Sequence, residues 1–262
     1  MYELLSMISS LLEPSVAYQE IRKQRILAVI PARLGSTRLP RKVLREIAGE
    51  PMIAWVYRAA RACPLLDQVL IATDSEEVLS FAQEHSLPAV FTPEDCASGT
   101  DRVHAVAESI AADIYVNIQG DEPLLRPEHL DTLLEPMTRP EVEVTTLATR
   151  CSPDQVHNPN AVKVVAAANG RALYFSRATL PYDRDNVGGF AYRKHLGIYA
   201  YRKNALKRFP GLLPSSLEAA EKLEQLRFLE NGIDVYVADT PYDTIGVDTE
   251  EDLRRVEEIL RG

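Results

Sequence analysis

The sequence has little cysteine and no excess of positive charge. Its 262 residues include three cysteines, Cys63, Cys96 and Cys151, which stand far apart and form no CxxC pair. Neither a disulfide framework nor a zinc site is indicated, and a reducing cytoplasm is the compartment that fits best. The formal net charge of −9 at pH 7 argues against nucleic acid or an anionic membrane surface as a partner, because both attract positively charged proteins.

Long apolar segments are also missing. No run approaches the ~20 apolar residues that a membrane-spanning helix needs, so we expect a soluble protein. Residues 1–25 have an apolar face, but Glu3 lies where a signal peptide carries positive charge, and no A-x-A-like cleavage site follows. We interpret this segment as a short amphipathic extension, or as the result of start-codon choice, without a part in the chemistry. The sequence also has no internal repeat, low-complexity tract or flexible linker.

Apolar residues are abundant, at 46% of the chain, and they suffice for a sizeable core. In the first half, predicted strands alternate with helices that begin at Pro51, after the cap Ser75 and near Asp101. The predicted strands are 26–30, 68–73, 89–92 and 114–118. This βαβα order predicts a parallel, doubly wound α/β sheet, whose ligands bind beyond the carboxyl ends of the strands.

The second half has a different pattern, with several strands and few helices between them. The strand-like segments are 142–149, 161–167, 172–175 and 196–201, and a long polar loop covers 181–194. We expect an antiparallel extension folded onto the sheet. The chain then returns to α/β form with a helix over 215–230, a strand over 234–238 and a last helix capped by Thr249 and Asp252.

The loop after the first strand concentrates hydrogen-bond donors. Around Gly35 and Pro40 it carries Arg33, Ser36, Thr37, Arg38 and Lys42. Guanidinium groups, an ammonium, hydroxyls and the N–H groups of a glycine turn are the donors that neutralise and orient phosphate oxygens. The loop favours a polyphosphate ligand, although a solvated basic loop is an equally good interpretation of this loop on its own.

Two carboxylates could hold a hard metal ion. Asp121 follows the fourth strand beside Gly120, a glycine that would let a ligand approach the backbone, and Asp248 follows Gly246 near the last helix. Mg²⁺ takes one or two protein carboxylates and completes its shell with water and phosphate oxygens. An Asp-Glu-Pro turn and an ordinary helix cap are the structural alternatives, and the spacing does not show that the two residues meet.

Ten motifs follow one another in the order of a known enzyme family. They are PARLGSTRLP, GEPMI, ATD, SGTDR, NIQGDEP, NPNAVKVV, ALYFSRA, HLGIY, LEQLR and GVDT, and they cover roughly residues 26–261. The chain resembles the 3-deoxy-manno-octulosonate cytidylyltransferases, also called CMP-Kdo synthetases. NPNAVKVV, ALYFSRA and HLGIY are the specific motifs, whereas PARLGSTRLP also occurs in acylneuraminate cytidylyltransferases and, loosely, in sugar-1-phosphate nucleotidyltransferases.

The resemblance implies a Rossmann-like nucleotidyltransferase sheet of the glycosyltransferase-A type, in one domain over 26–262 with an antiparallel or dimerisation lobe at about 142–201. It further implies a cytoplasmic homodimer with Mg²⁺ as cofactor. Its substrates would be CTP and 3-deoxy-manno-octulosonate (Kdo), and a cytidylyl group would pass to the anomeric hydroxyl of Kdo to activate the sugar for lipopolysaccharide biosynthesis. The alternatives are another sugar acid, such as 8-amino-Kdo or neuraminate, and a nucleotide-binding regulator without catalysis.

The resemblance implies a set of site residues at the matching motifs of this sequence. Arg33, Lys42, Asp121 and Asp248 resemble the catalytic set, and Asp121 and Asp248 resemble the metal pair. The nucleotide set is Ala32, Arg33, Ser36, Thr37, Arg38, Lys42, Ser98, Gly99 and Thr100. The sugar set is Gln119, Arg177, His195, Tyr199, Glu224 and Gln225.

The sugar set has a plausible chemistry. Arg177 and a protonated or donor-tautomer His195 would hold the sugar carboxylate, while Glu224 and Gln225 accept from its hydroxyls. A structural histidine and a solvated glutamate are the alternatives for His195 and Glu224. The chain departs from the family at Arg41, where the family commonly has the glycine of LPGK, and in a shorter 181–194 loop.

Overall fold

The computed structural model describes residues 16–35, 38–185 and 189–262. Ser36 and Thr37 of the basic loop lie outside the described residues, and so does most of the expected extension at 1–25. In the described parts no helix combines the length and the apolar character that crossing a lipid bilayer requires.

Strands and helices alternate through most of the described chain. The strands are β1 (Ile26–Ala32), β2 (Glu46–Ile47), β3 (Glu50–Pro51), β4 (Gln68–Thr73), β5 (Ala89–Phe91), β6 (Ile114–Asn117), β7 (Val144–Arg150), β8 (Lys163–Ala166), β9 (Ala172–Ser176), β10 (Arg193–Arg202) and β11 (Val235–Asp239). The helices are α1 (Val16–Ile21), α2 (Met52–Arg61), α3 (Glu76–Glu84), α4 (Gly99–Ser109), α5 (Pro127–Leu134), α6 (Lys203–Arg208), α7 (Ser216–Glu221), α8 (Gln225–Glu230) and α9 (Glu250–Arg261). Short 3₁₀ turns lie at Lys42–Leu44, Glu135–Thr138 and Phe209–Gly211.

One mixed sheet organises the molecule, with the strand order β11-β7-β10-β6-β1-β4-β5. The pairs among β6, β1, β4 and β5 are parallel. Strand β10 runs antiparallel to both β6 and β7 and also pairs with β8, which forms an antiparallel pair with β9. The predicted α/β sheet with an antiparallel extension in the second half is confirmed.

The sheet is buried on both faces, which explains the continuous apolar run of β1. Ile26, Ala28 and Ile30 pack in the core on one face, and Leu27 and Val29 pack in the core on the other. Successive side chains of a strand point to opposite faces, so a strand covered on both sides is apolar throughout.

A third, smaller core lies beneath the loops at the carboxyl edge of the sheet. It joins the basic loop, the β2–β3 hairpin and α9 through Leu39, Ile47, Met52, Val247, Leu253 and Val256. The C-terminal helix therefore supports two loops that the sequence places more than half the chain apart, the one carrying Arg38 and Lys42 and the one carrying Asp248.

Some predicted boundaries are wrong. Strand β1 continues through Pro31, which pairs in register with Ala72, and ends at Ala32. A proline removes only its own ladder donor, and near the end of a strand this loss is tolerated. Pro51 belongs to β3 and precedes α2, which begins at Met52. The hairpin β2–β3 and the short helices α5 and α6 were not predicted.

The helix expected over 215–230 is two helices. Lys222 adopts a left-handed conformation, with φ of 54°, and ends α7, after which α8 begins at Gln225. A left-handed residue terminates a helix because it turns the next N–H away from the helix axis. This break positions Glu224 and Gln225 at the start of a separate helix.

Candidate active site

A pocket of about 130 Å³ opens at the carboxyl edge of the sheet. Its lining comes from segments after β1, β5 and β6, and includes Ala32, Arg33, Lys42, Ser98, Gly99, Arg102, Gln119 and Asp121. Most of the predicted catalytic and nucleotide residues within the described chain thus gather at the edge where an α/β sheet is expected to bind its ligand.

Lys42 joins the two predicted metal carboxylates. Its Nζ donates to Oδ2 of Asp121 and lies 3.0 Å from Oδ1 of Asp248, whose other oxygen accepts from Arg38 at 2.9 Å. Burial by itself would lower the pKa of Lys42, but the carboxylates of Asp121 and Asp248 outweigh it and raise the pKa above its ordinary value. The ammonium therefore stays charged, and Asp121 and Asp248 meet around a single cation.

Main-chain contacts hold the Asp248 loop against the end of β6. The N–H of Val247 donates to the carbonyl of Asp121 at 2.9 Å. Asp252 Oδ2 accepts from the N–H groups of Asp248 and Thr249 at 3.1 and 2.9 Å, and Thr249 in turn caps α9. The predicted cap at Thr249 is confirmed, and the same cap orients the backbone of Asp248.

Gly120 has a packing reason that the sequence did not reveal. A Cβ atom at this position would lie 2.9 Å from the carbonyl oxygen of Pro31, inside any real contact distance. We expected the glycine to admit a ligand. In the structure it admits the neighbouring backbone of β1 and so brings Asp121 close to the basic loop.

The donor chemistry of this site fits Mg²⁺. Asp121 and Asp248 present hard carboxylate oxygens that converge on one cationic atom, Lys42 Nζ. Among the described residues no group of three or more His, Cys, Asp and Glu side chains gathers as a metal site. A protein contribution of two carboxylates is what Mg²⁺ commonly accepts when phosphate and water supply the remaining ligands.

The basic loop keeps charge available for an anion. Arg33 is exposed at the pocket and forms no ion pair within the described residues, while Arg38 is exposed and pairs with Asp248. Arg41 replaces the family's glycine, yet its φ of 56° and ψ of 30° are left-handed, a conformation typical of glycine. The turn before Lys42 therefore keeps a glycine-like geometry despite the substitution.

The Ser98 to Thr100 segment forms the start of α4. Ser98 Oγ accepts from the N–H of Asp101 at 3.1 Å, and a Cβ on Gly99 would lie 3.0 Å from Gln119 Nε2. Thr100 is fully buried, and its hydroxyl donates to Glu224 and contacts the Tyr201 hydroxyl at 3.1 Å. The side chain of Thr100 faces the predicted sugar residues, so only its main chain remains as a contact for nucleotide.

His195 lies in an aromatic setting on β10. Its ring is 5.0 Å from that of Phe175 and 5.5 Å from that of Tyr199, and its Nε2 is 2.9 Å from Thr146 Oγ1. Burial lowers the pKa of His195 to about 3, so the ring is neutral at pH 7. Of the protonated and donor-tautomer forms expected from the sequence, the protonated form is wrong.

The proton of neutral His195 can be placed from its neighbours. The Thr146 hydroxyl lies 2.9 Å from the carbonyl oxygen of Ile198 and 3.2 Å from that of Leu196, and it must donate to one of them, since a carbonyl only accepts. Its oxygen then accepts from His195 Nε2–H. Nδ1 is left as an acceptor, which suits a sugar hydroxyl rather than the carboxylate we expected it to hold.

Arg177 uses most of its donors within the protein. Its guanidinium donates to the carbonyls of Glu221 at 2.7 Å, Pro159 at 3.0 Å and Lys222 at 3.4 Å. It therefore ties the end of α7 to the turn before β8. Two of its five N–H groups remain for a ligand, so its expected role at the sugar carboxylate stays a prediction.

Glu224 and Gln225 lie at the start of α8. Burial raises the pKa of Glu224, and the residue lines a surface cavity of about 620 Å³ that shares Ser98 with the smaller pocket. Gln225 is 5% exposed, and its Nε2 is buried without a hydrogen-bond partner in the described structure. This atom is a donor, whereas the sequence led us to expect Gln225 to accept.

Comparison with known proteins identifies the family. The cytidylyltransferase family model matches residues 27–235. A curated relative from Acidobacterium capsulatum, named 3-deoxy-manno-octulosonate cytidylyltransferase, is 72% identical over 235 residues that cover 90% of this chain and 96% of the relative. The chain belongs to the 3-deoxy-manno-octulosonate cytidylyltransferase family. A relative of the same name from Koribacter versatilis is 63% identical over 237 residues, with 90% of each chain covered.

Solved structures agree with this assignment. A CMP:2-keto-3-deoxy-manno-octonic acid synthetase complexed with CTP has a TM-score of 0.87 at 42% identity, covering 90% of this chain and 98% of that one. A 4-diphosphocytidyl-2C-methyl-D-erythritol synthase from Anaerococcus prevotii has a TM-score of 0.63 at 14% identity, covering 93% and 99% of the two chains, and shares the fold alone. The chain is thus an enzyme, a nucleotidyltransferase of the cytidylyltransferase type.

Sequence reasoning missed several polar residues that this cytidylyltransferase buries beside the pocket. Arg102 is 2% exposed and pairs with Asp74, which joins two of the quoted motifs. Asn117, Thr146 and Tyr201 lie on strands and are buried. A polar side chain within an otherwise apolar strand was the available signal, because burying it requires a hydrogen-bond partner.

Proposed function

We propose that this enzyme transfers the cytidylyl group of CTP to the anomeric hydroxyl of Kdo and releases pyrophosphate. The observation that carries the proposal is the meeting of Asp121 and Asp248 on Lys42, at a pocket lined by Arg33. This arrangement suits a triphosphate and its metal. The curated relatives at 72% and 63% identity, each named a 3-deoxy-manno-octulosonate cytidylyltransferase, support Kdo as the acceptor.

The reaction needs positioning and charge neutralisation more than covalent chemistry. The Kdo hydroxyl oxygen forms a bond to the α-phosphorus, the bond from that phosphorus to the α–β bridging oxygen breaks, and the hydroxyl proton is released. Arg33, Arg38 and Lys42 bind the phosphate oxygens and stabilise the charge that grows on the leaving pyrophosphate. Ser36, Thr37 and the backbone of 98–100 complete the proposed nucleotide site.

Asp121 and Asp248 would hold Mg²⁺. When bound, this ion neutralises phosphate charge and lowers the pKa of a nearby hydroxyl. The two hard carboxylates and their negative charge support this role. In the protein without a ligand, Lys42 and Arg38 balance that charge.

The sugar acid would lie on the side of β10 and α8. Glu224 and the Nδ1 atom of His195 accept from sugar hydroxyls, Gln225 Nε2 donates to a sugar oxygen, and Arg177 offers its two remaining N–H groups to the carboxylate. The buried and unpartnered Nε2 of Gln225 supports this division, because a buried donor without a partner costs free energy that a ligand oxygen would recover.

We also propose a cytoplasmic homodimer of single-domain subunits, with 142–201 contributing to the interface. Tyr182 and Phe190 in this lobe are 84% and 52% exposed, which supports contact with a partner chain. The cysteines Cys63 and Cys151 are buried free thiols, which suits a reducing compartment.

Pyrophosphate release tests the proposal. Purified protein is assayed with CTP or UTP, each paired with Kdo, 8-amino-Kdo or neuraminate, with Mg²⁺ or with excess chelator. We expect the fastest release with CTP, Kdo and Mg²⁺, and no release with chelator. Faster turnover of another sugar acid would replace Kdo as substrate. CTP binding without turnover of any acid would support a nucleotide-binding regulator instead.

A further inference from the structure

Three fully buried polar groups are hydrogen-bonded to residues of the proposed site. Asn117 on β6, Tyr201 on β10 and Thr100 on α4 are each 0–1% exposed. They lie between Gln119, at the nucleotide pocket, and Glu224, at the proposed sugar site. Tyr201 is too deeply buried to contact a substrate.

Hydrogen bonds link two of these residues to Glu224 in series. The Tyr201 hydroxyl is 3.1 Å from Thr100 Oγ1, and Thr100 donates to Glu224 Oε1. Asn117 Oδ1 accepts separately from Gln119 Nε2 at 3.1 Å. The series runs from β10 through the start of α4 to the start of α8.

The direction of the series follows from counting protons. A carboxylate only accepts, so the single hydroxyl proton of Thr100 goes to Glu224. The Thr100 oxygen must then accept from Tyr201. As a result, the Tyr201 hydroxyl sets the orientation of the Thr100 hydroxyl toward Glu224.

We propose that Tyr201 is a positioning residue for the sugar acid, which holds Glu224 through Thr100 so that Glu224 Oε2 faces the substrate as an acceptor. This inference rests on the proposed function. An acceptor whose side chain is already held in one rotamer before the substrate binds can accept from a sugar hydroxyl without a further loss of side-chain entropy.

The Tyr201 ring has a separate packing role. It stacks on the rings of Tyr199 and Phe228, each at 5.8 Å between centroids. Tyr201→Phe keeps this stacking and removes only the hydroxyl. Tyr115→Phe is a matched control, because Tyr115 is also fully buried. Within the described residues its hydroxyl bonds Ile110 O and Ala112 N, both at 2.9 Å, beyond the other end of β6.

The test compares Kdo and CTP kinetics in both variants, with CTP affinity measured by calorimetry in the absence of sugar. We expect Tyr201→Phe to raise the KM for Kdo by about tenfold, the scale of one lost hydrogen bond within a network that ends on a charge. The KM and Kd for CTP should stay near wild type. Tyr115→Phe should lose similar thermal stability and keep both KM values.

A mutant cycle with Glu224→Gln separates positioning from structure. If Tyr201 acts through Glu224, the double variant should have a KM for Kdo close to that of Glu224→Gln alone. Fully additive losses, an unchanged KM for Kdo in Tyr201→Phe, or an equal rise for CTP would overturn the inference. Should Tyr201→Phe fold poorly, Thr100→Val breaks the series at another link and carries the same expectation.

The proposed function and this inference can fail separately. Wild-type protein that is silent with Kdo but active with another sugar acid would refute the substrate assignment, and the Tyr201 test would then use the KM for that acid. Wild-type activity with Kdo and an unchanged KM in Tyr201→Phe would refute the positioning role alone.

Discussion

The ammonium group of Lys42 lies between carboxylates from two distant loops, and this contact is the clearest residue-scale feature of the site. Lys42 is 14% exposed, whereas its partners Asp121 and Asp248 are 27% and 45% exposed. A largely buried cation with two carboxylates keeps the charges of the site balanced before any ligand binds. The same two carboxylates are the proposed metal ligands.

Asp121→Asn and Asp248→Asn should each reduce pyrophosphate release by orders of magnitude, because several kcal/mol of transition-state stabilisation are commonly lost with a metal ligand. The double variant should be little worse than either single one, since the shared site is already lost. Asp67→Asn is the control: Asp67 accepts from the N–H of Ile26 at 2.7 Å, at the opposite edge of the sheet. Fully additive losses would show that Asp121 and Asp248 act independently.

Arg41 is strained where glycine would not be. Its left-handed backbone costs a residue with a Cβ about 1–2 kcal/mol, and its exposed ion pair with Glu77 offsets little of this cost. Arg41→Gly should therefore raise the free energy of unfolding by about 0.5–1 kcal/mol, since glycine's larger unfolded-state entropy cancels part of the gain. Urea denaturation measures the change. Arg41→Ala keeps the strain and should show no gain, so equal stabilisation by both would refute this account.

At the scale of elements, the N-terminus of α9 has two functions. Thr249 and Asp252 form the capping box that starts the helix, and Asp252 also accepts from the N–H of Asp248. The helix packs in the small core that includes Leu39 of the basic loop. A single helix end therefore stabilises the fold and orients a proposed metal ligand.

Removing this cap should affect both stability and activity. We expect Asp252→Ala to lower the free energy of unfolding by about 1 kcal/mol, the usual value of a helix cap, and to weaken the response to Mg²⁺ in the pyrophosphate assay. Ser75→Ala removes the cap of α3, where Ser75 Oγ accepts from Val78 N at 3.3 Å, and should cost similar stability with normal Mg²⁺ dependence. An unchanged Mg²⁺ response in Asp252→Ala would show that the cap is structural only.

At the scale of the whole molecule, the second-half strands are part of the main sheet. Strand β10 pairs with β6 on one side and with β7 on the other, so the parallel and antiparallel halves share one ladder and one pair of cores. Separating the lobe at 142–201 would expose the central strands.

We therefore expect one cooperative unfolding transition. Fluorescence of Trp55, the single tryptophan, reports on α2 in the first half, while far-UV circular dichroism reports on the whole chain. The two urea curves should coincide, as they do for one cooperative unit. Two separated midpoints would mean that the lobe is an independent domain.

The features of this protein that depend on neighbouring residues could be predicted from the sequence. Strand β4 was predicted with its observed bounds, and the caps Ser75 and Thr249 were predicted as the structure has them. These features follow from backbone preferences and from side chains a few residues apart. The family motifs added the likeness to cytidylyltransferases and most of the candidate residues, but not their contacts.

The folded arrangement of distant segments sets which groups meet and which atoms remain for a ligand. Asp121 and Asp248 share Lys42 because α9 and the small core bring their loops together. The sequence placed Arg177 in the sugar set, yet most of its donors go to carbonyls of α7 and the turn before β8, and the burial of His195 keeps that ring neutral. Hydrogen-bond partners and desolvation depend on segments that are distant in the chain, and local sequence patterns carry no information about them.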